Sequence, residues 1–256
     1  VYELAGPRPV HHSPIRHRNV NVVYCQRSAV CGFFLSGAGL LREVLRFFRC
    51  FWGDTMSFRD FDLPKAQQDF GLTLATSQPL FANVLPVPIS EGLRQFWGNI
   101  QPLGLSLVTE KARSELLVAP LLAEIWHRSG RRIALLSGVE FNVDVALGLN
   151  GTCDFLLCRS DNLYFVSAPL LVAVEAKRDS IPDGLGQCAA EMVAAQRFNQ
   201  QANKPIDPIY GCVTTGSAWK FLRLTGQHLD IDINEYNISQ PDRILGVLLH
   251  CCGVTI

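Results

Sequence analysis

Residues 170–176 read Leu-Leu-Val-Ala-Val-Glu-Ala, the stretch that most limits what this chain can become. A near-continuous apolar run of strand length predicts a strand covered on both faces. Such a strand belongs at the centre of a sheet with helices packed against it. Its end is charged, Glu175-Ala176-Lys177. On a strand, Glu175 and Lys177 point one way while Val174 and Ala176 point the other. Upstream, Gly151-Thr152-Cys153-Asp154 leads into a second apolar segment that ends at Arg159. If the two segments are neighbouring strands, two carboxylates and one ammonium converge on one patch. Two hard oxygen ligands with a free edge suit Mg²⁺. A lysine beside a cation-activated water suits hydrolysis of a phosphodiester.

The surrounding pattern is mixed. Thr109-Glu110-Lys111-Ala112 opens a helix whose apolar face is Leu116, Leu117, Leu121, Leu122 and Ile125, with a kink expected at Pro120 and an end near Ser129-Gly130. Strands are predicted over 133–137, 138–147, 153–159, 170–176, 210–214, 219–224 and 229–233, and 163–167 reads as a return segment. Helices are predicted over 183–201 and 240–252. Residues 57–108, with prolines at 64, 79, 86, 88 and 102, read as loop-rich. Residues 83–87 are expected there as an edge strand or covering loop, and 91–97 as a helical turn. The order argues for an α/β fold, a mixed sheet flanked by helices.

Charge narrows the partners. The 23 Lys and Arg balance the 23 Asp and Glu, so no whole-protein basic field exists to attract a polyanion. Seven of the basic residues and only three acids fall in residues 1–55, leaving 16 bases and 20 acids in 56–256. The early segment is expected to lie upstream of a native start at Met56, and 56–256 to form the domain. A basic amphipathic stretch from Leu40 to Trp52 gives a competing expectation, a membrane-surface helix. No run is long enough to span a bilayer. Nine cysteines without metal-ligand spacing point to buried thiols and a cytoplasmic location.

Over about residues 109–235 the chain resembles the PD-(D/E)XK, or restriction-endonuclease-like, nuclease superfamily. The matching residues are Glu115 on the first helix, Gly151-x-x-Asp154, Glu175-x-Lys177, and Gln187 on the following helix. The run Val213-Thr214-Thr215-Gly216-x-x-Trp219-Lys220-Phe221-x-x-Leu224 is similar to a strand–turn–strand of bacterial members akin to the nuclease domain of type I restriction motor subunits. Cys153 stands where the superfamily name places proline. The resemblance implies a restriction-endonuclease-like fold and Mg²⁺-dependent hydrolysis of DNA in restriction or repair, endonucleolytic rather than exonucleolytic, with Mn²⁺ as a substitute cation. It implies that Asp154, Glu175 and the Ala176 carbonyl hold the metal, that Lys177 orients or helps deprotonate the attacking water, and that Glu115 reaches the metal through water or holds a second ion. Gln187 would steady Lys177 or the water, with Glu191 one turn on behind it.

Contact with DNA must then be local. Arg113, Arg178 and Lys220 are the leading candidates, ahead of Arg197, Lys204 and Arg223. Trp219 is expected to be core packing more than a base platform. A homodimer is expected if both strands are cut. The competing function is a catalytically silent nucleic-acid-binding or scaffolding module on the same fold.

Overall fold

The structure, a computed structural model, describes residues 56–76, 78–106 and 109–255. The expectations for residues 1–55, an upstream extension or a membrane-surface helix, lie outside the described residues. At the centre of the described fold is β4 (Leu170–Ala176), buried along its whole length. It pairs antiparallel with β3 (Thr152–Arg159) on one side and parallel with β5 (Ile209–Thr214) on the other. The sheet continues outward to β2 (Ile133–Glu140) beyond β3. Beyond β5 come β6 (Ala218–Thr225), β7 (His228–Ile231) and β1 (Thr73–Ala75). The short β8 (Tyr236–Asn237) pairs with β6, which makes eight strands in one mixed sheet. The α/β architecture predicted from the apolar run is thus the one observed.

Helices cover both faces. Helix α4 (Pro182–Gln201) packs on one face together with α1 (Leu63–Phe70). Their layer includes Phe58, Phe61, Ala173, Ala190, Met192 and Val213. On the other face lie α2 (Glu91–Ser106), α3 (residues 110–128) and α5 (Pro241–Cys251). That layer includes Trp97, Leu121, Phe155, Val174, Trp219 and Leu248. Helix α4 is rich in Ala and Gly because the sheet lies close beneath it. A Cβ on Gly184 would stand 2.6 Å from Val213 Cγ1, and one on Gly186 only 2.1 Å from the carbonyl carbon of Asp62. Six described cysteines are free and buried in these two layers. No helix among the described residues is long and apolar enough to cross a membrane.

Several predicted boundaries are corrected. Residues 57–108 are not mostly loop, since α1 and a sixteen-residue α2 lie there, together with β1. The start of α1 carries a recognisable cap: Asp62 accepts from Lys65 N–H at 2.8 Å, Pro64 occupies the first turn, and Gly71 ends the helix at φ 63°. Of the two expectations for residues 83–87, the covering loop is the one observed: the segment lies over α5, with Val87 N–H donating to the Asp242 carbonyl. The strand expected over 138–147 is absent. β2 runs unbroken through Gly138 to Glu140, and Val145–Leu147 is a short 3-10 turn. Residues 163–167 are a loop, not a returning strand. Helix α3 is also less regular than predicted. Ahead of Pro120 its Ser114–Val118 segment is a π turn, in which Ala119 N–H donates to the Ser114 carbonyl. Proline supplies no N–H to the ladder, and the wider turn accommodates that loss.

One polar bracket holds β4 to α4. Asn199, fully buried, accepts from Leu170 N–H and donates to the Leu170 carbonyl, both at 2.8 Å. Replacing it with leucine leaves two buried backbone groups unpaired. Asn199→Leu is therefore expected to lower unfolding free energy by about 3 kcal/mol in urea titrations. A loss below roughly 1 kcal/mol would show that the bracket is not what secures this strand end.

Candidate active site

The end of β4 brings the charged residues together. The β3–β4 register pairs Phe155 with Val174, so Asp154 lies opposite Glu175 one step further on. Cross-strand neighbours share a face. Ala176 N–H donates to Asp154 Oδ2 at 2.8 Å, which fixes the aspartate across the two strands. Lys177 leaves the strand, with its N–H donating to the Thr214 carbonyl. Its Nζ donates to Glu175 Oε1 at 2.6 Å and to Gln187 Oε1 at 2.9 Å. The Gln187 amide then donates from Nε2 to Glu191 Oε1 at 3.1 Å. One α-helical turn separates Gln187 from Glu191, so both face the sheet from α4. A Cβ on Gly184 would sit 3.1 Å from Lys177 Cγ, so glycine there leaves room for the lysine stem.

These groups are poorly hydrated. Glu175 and Glu191 are 3% and 0% exposed, and each keeps a buried Oε2 without a hydrogen-bond partner. Burial, then the charge of Asp154, pushes the Glu175 carboxyl up to about 7. Burial and the charge of Glu175 raise Glu191 well above the usual carboxylate range. Asp154 is raised as well, chiefly by burial, against the lowering effect of the Ala176 N–H. Burial opposes the Lys177 charge, but the charge and hydrogen bond of Glu175 outweigh it and move the lysine up. Lys177 is thereby held as an ammonium, a donor.

The structure thus groups five of the sequence-nominated side chains: Asp154, Glu175, Lys177, Gln187 and Glu191. Glu115 joins no hydrogen bond of this group, though its partner Lys111 is near enough to Asp154 for their charges to interact. That carboxylate pairs with Lys111 Nζ at 2.8 Å, and both side chains are largely exposed. The acid of α3 whose charge acts on Asp154 and Lys177 is Glu110. Sequence reasoning passed over Glu110 because it sits in the first turn after the Thr109 cap, where acids are common. The proposed basic contacts are also more committed than expected. Arg113 Nη1 donates to the Thr215 carbonyl at 3.1 Å, Arg178 pairs with Asp179, and Lys220 Nζ reaches the Ile233 carbonyl at 3.2 Å. Arg197 pairs with Asp144, Arg223 with Asp230, and Lys204 donates to the Ala168 carbonyl. Trp219 is fully buried, and its Nε1–H donates to the Gly216 carbonyl, so it offers no platform to a base.

Asp154 and Glu175 are hard oxygen donors suited to a small divalent cation. Among the described residues no group of three or more Asp, Glu, His or Cys side chains forms a ready metal cage. Two carboxylates would therefore leave the rest of a coordination shell to main chain, water or substrate, which is how Mg²⁺ is usually held. No protein-family model matches this chain, and no curated protein matches it in sequence.

The raised Glu175 carboxyl has a consequence for stability. Between the ordinary value of 4.5 and about 7, the folded protein holds a proton that the unfolded chain has released. Stability from this group is therefore present below 4.5 and lost as pH rises through about 7. Thermal unfolding in chelator should show the midpoint falling across that window, with Glu175→Gln flattening the fall. An unchanged slope in the variant would mean that Glu175 does not carry it.

Proposed function

We propose that this chain is a Mg²⁺-dependent nuclease that hydrolyses phosphodiester bonds in DNA, with Mn²⁺ as a working substitute. The observation that carries the reading is the pair of desolvated carboxylates, Asp154 and Glu175, set beside a lysine that an amide holds in place. The residues fit a divalent cation. A buried Glu175 oxygen has no partner, and both carboxyls are raised, chiefly by burial, despite the opposing charge of Lys177. Asp154, Glu175 and the Ala176 carbonyl would hold the ion. When bound, it lowers the pKa of a water and offsets charge on the scissile phosphate.

The remaining steps belong to the chain itself. Lys177, held as an ammonium, would orient the attacking water and stabilise the charge that builds on the phosphate oxygens, without taking the water's proton. Gln187 would keep Lys177 in position by accepting from it, and Glu191 would set the orientation of that amide. Glu110 takes the part that the sequence suggested for Glu115, an acid near the metal on the first helix. Two copies of the chain would be required to cut both strands in one event.

Cleavage of plasmid and linear duplex DNA with Mg²⁺ or Mn²⁺ tests this, together with Mn²⁺ calorimetry. Lys177→Ala is expected to lose at least on the order of 10²-fold in turnover. It should still bind Mn²⁺, whereas Asp154→Ala and Glu175→Ala should lose the ion. Site-dependent Mn²⁺ binding without cleavage of any substrate would favour the silent binding module instead. Cleavage unaffected in Lys177→Ala would defeat the nuclease reading at this site. In the same assay Glu110→Gln should reduce kcat/KM by on the order of tenfold, and Glu115→Gln should leave it nearly unchanged. The reverse ranking would return the role to Glu115.

A further inference from the structure

A polyanion has to be drawn to this site by local charge, because residues 56–256 carry four more acids than bases. The cations nominated from sequence already serve other groups. Arg113 holds the carbonyls of Thr215 and Arg178, Arg178 is paired with Asp179, and Lys220 holds the Ile233 carbonyl. Lys111, also near Asp154, is paired with Glu115. Breaking such contacts would subtract from whatever a phosphate supplied. Arg59 differs. It is exposed, and among the described residues no hydrogen bond or ion pair engages its guanidinium. Phe58, next to it in the chain, packs on Asn150 and Gly151, just ahead of Asp154, and the Arg59 charge acts to lower the Asp154 carboxyl, so Arg59 stands near the acids of the site.

Its mount is rigid. Arg59 lies in a 3-10 turn, Phe58–Asp60, closed by Asp60 Oδ2 accepting from Ser57 N–H at 2.7 Å. Phe58 is fully buried, its N–H donates to the Asn150 carbonyl at 2.9 Å, and its ring stacks on Phe141 at 6.3 Å. Just beyond, the Asp62 backbone lies against Gly186, the residue before Gln187. The turn bearing Arg59 is therefore braced against both the loop before β3 and the helix that positions Lys177. A cation on a fixed turn has no ion pair to break and no backbone to order, so only its side-chain rotamers remain to be fixed on binding. A planar guanidinium fork matches two oxygens of a phosphate.

We infer that Arg59 is a phosphate-binding residue of this site, gripping the backbone of the nucleic-acid strand next to the phosphate that is cleaved. The inference rests on the nuclease reading and adds a substrate contact to it. The test uses the full chain, wild type against Arg59→Ala and Arg59→Lys. Fluorescence anisotropy of a labelled DNA duplex is followed across a KCl series with Ca²⁺ present, and cleavage is measured separately with Mn²⁺.

Arg59→Ala is expected to lose about tenfold in affinity and to reduce the slope of log affinity against log salt by about one. Arg59→Lys should keep the slope and recover cleavage only in part, because the fork is gone. Mn²⁺ should bind no more weakly than in the wild type in either variant, since removing a cation near Asp154 does not weaken a cation site, and the thermal midpoint should stay at the wild-type value in both. Wild-type binding with equal affinity and slope in Arg59→Ala would overturn the Arg59 assignment and leave the nuclease reading standing. A lowered thermal midpoint in Arg59→Ala, with affinity not restored in Arg59→Lys, would assign Arg59 a structural role and also overturn it. Failure of the wild type to bind or cut duplex DNA, single-stranded DNA or RNA would end both.

Discussion

Because β4 is buried from Leu170 to Ala176, every polar group at its end must find a partner inside the protein. The Ala176 N–H goes to Asp154, and the Lys177 N–H goes to Thr214. The Glu175 carboxylate cannot reach bulk water, so it holds Lys177, which in turn reaches Gln187 and through it Glu191. Two glycines of α4 leave the room this arrangement needs. Gly184 leaves room for the lysine stem, and Gly186 lets the chain at Asp62 lie against the helix. The geometry of the candidate site is in this sense a product of core packing.

The chain of contacts is electrically incomplete. Three carboxyls, Asp154, Glu175 and Glu191, sit near a single ammonium, and all three are raised chiefly by burial, with the charge of Glu110 adding to it at Asp154, that of Asp154 at Glu175, and that of Glu175 at Glu191. Two buried oxygens on Glu175 and Glu191 have no hydrogen-bond partner. A fold assembled only for stability gains little from such a cluster, since unpaired buried charge destabilises it. That imbalance is the physical ground for proposing a divalent cation and a phosphodiester substrate here. It also decides the part given to Lys177, because a lysine fixed against a carboxylate donates and does not serve as the base.

Two elements outside the central strands shape the mouth of the site. Helix α3 passes through a π turn at Ser114–Val118, which shifts the helical phase between its first and later turns. Glu110 and Glu115 therefore cannot be ranked by regular spacing, and it is Glu110 whose charge reaches Asp154 and Lys177. The turn at Phe58–Asp60, in a region that reads as loop, is anchored by one buried aromatic ring and carries Arg59 beside the acids.

The sequence by itself determined the central strand, its charged end and the α/β class. An apolar run followed by Glu-x-Lys is a local pattern, and strand periodicity alone puts Val174 and Glu175 on opposite faces. The pairing of Asp154 with Glu175 was legible too, since both lie at the ends of apolar segments. What lay beyond the sequence was long-range. Glu115 and Glu110 look alike along the chain, and only the π turn and the packing of α3 separate them. Arg113, Arg178 and Lys220 read as free cations, yet tertiary contacts tie each to a neighbour. Arg59 reads as one arginine in a loop, but a buried phenylalanine and a glycine some 127 positions later hold it at the site. Local side-chain alternation is set by backbone geometry, whereas the identity of a side chain's partner depends on which distant segments the core brings within a few ångströms.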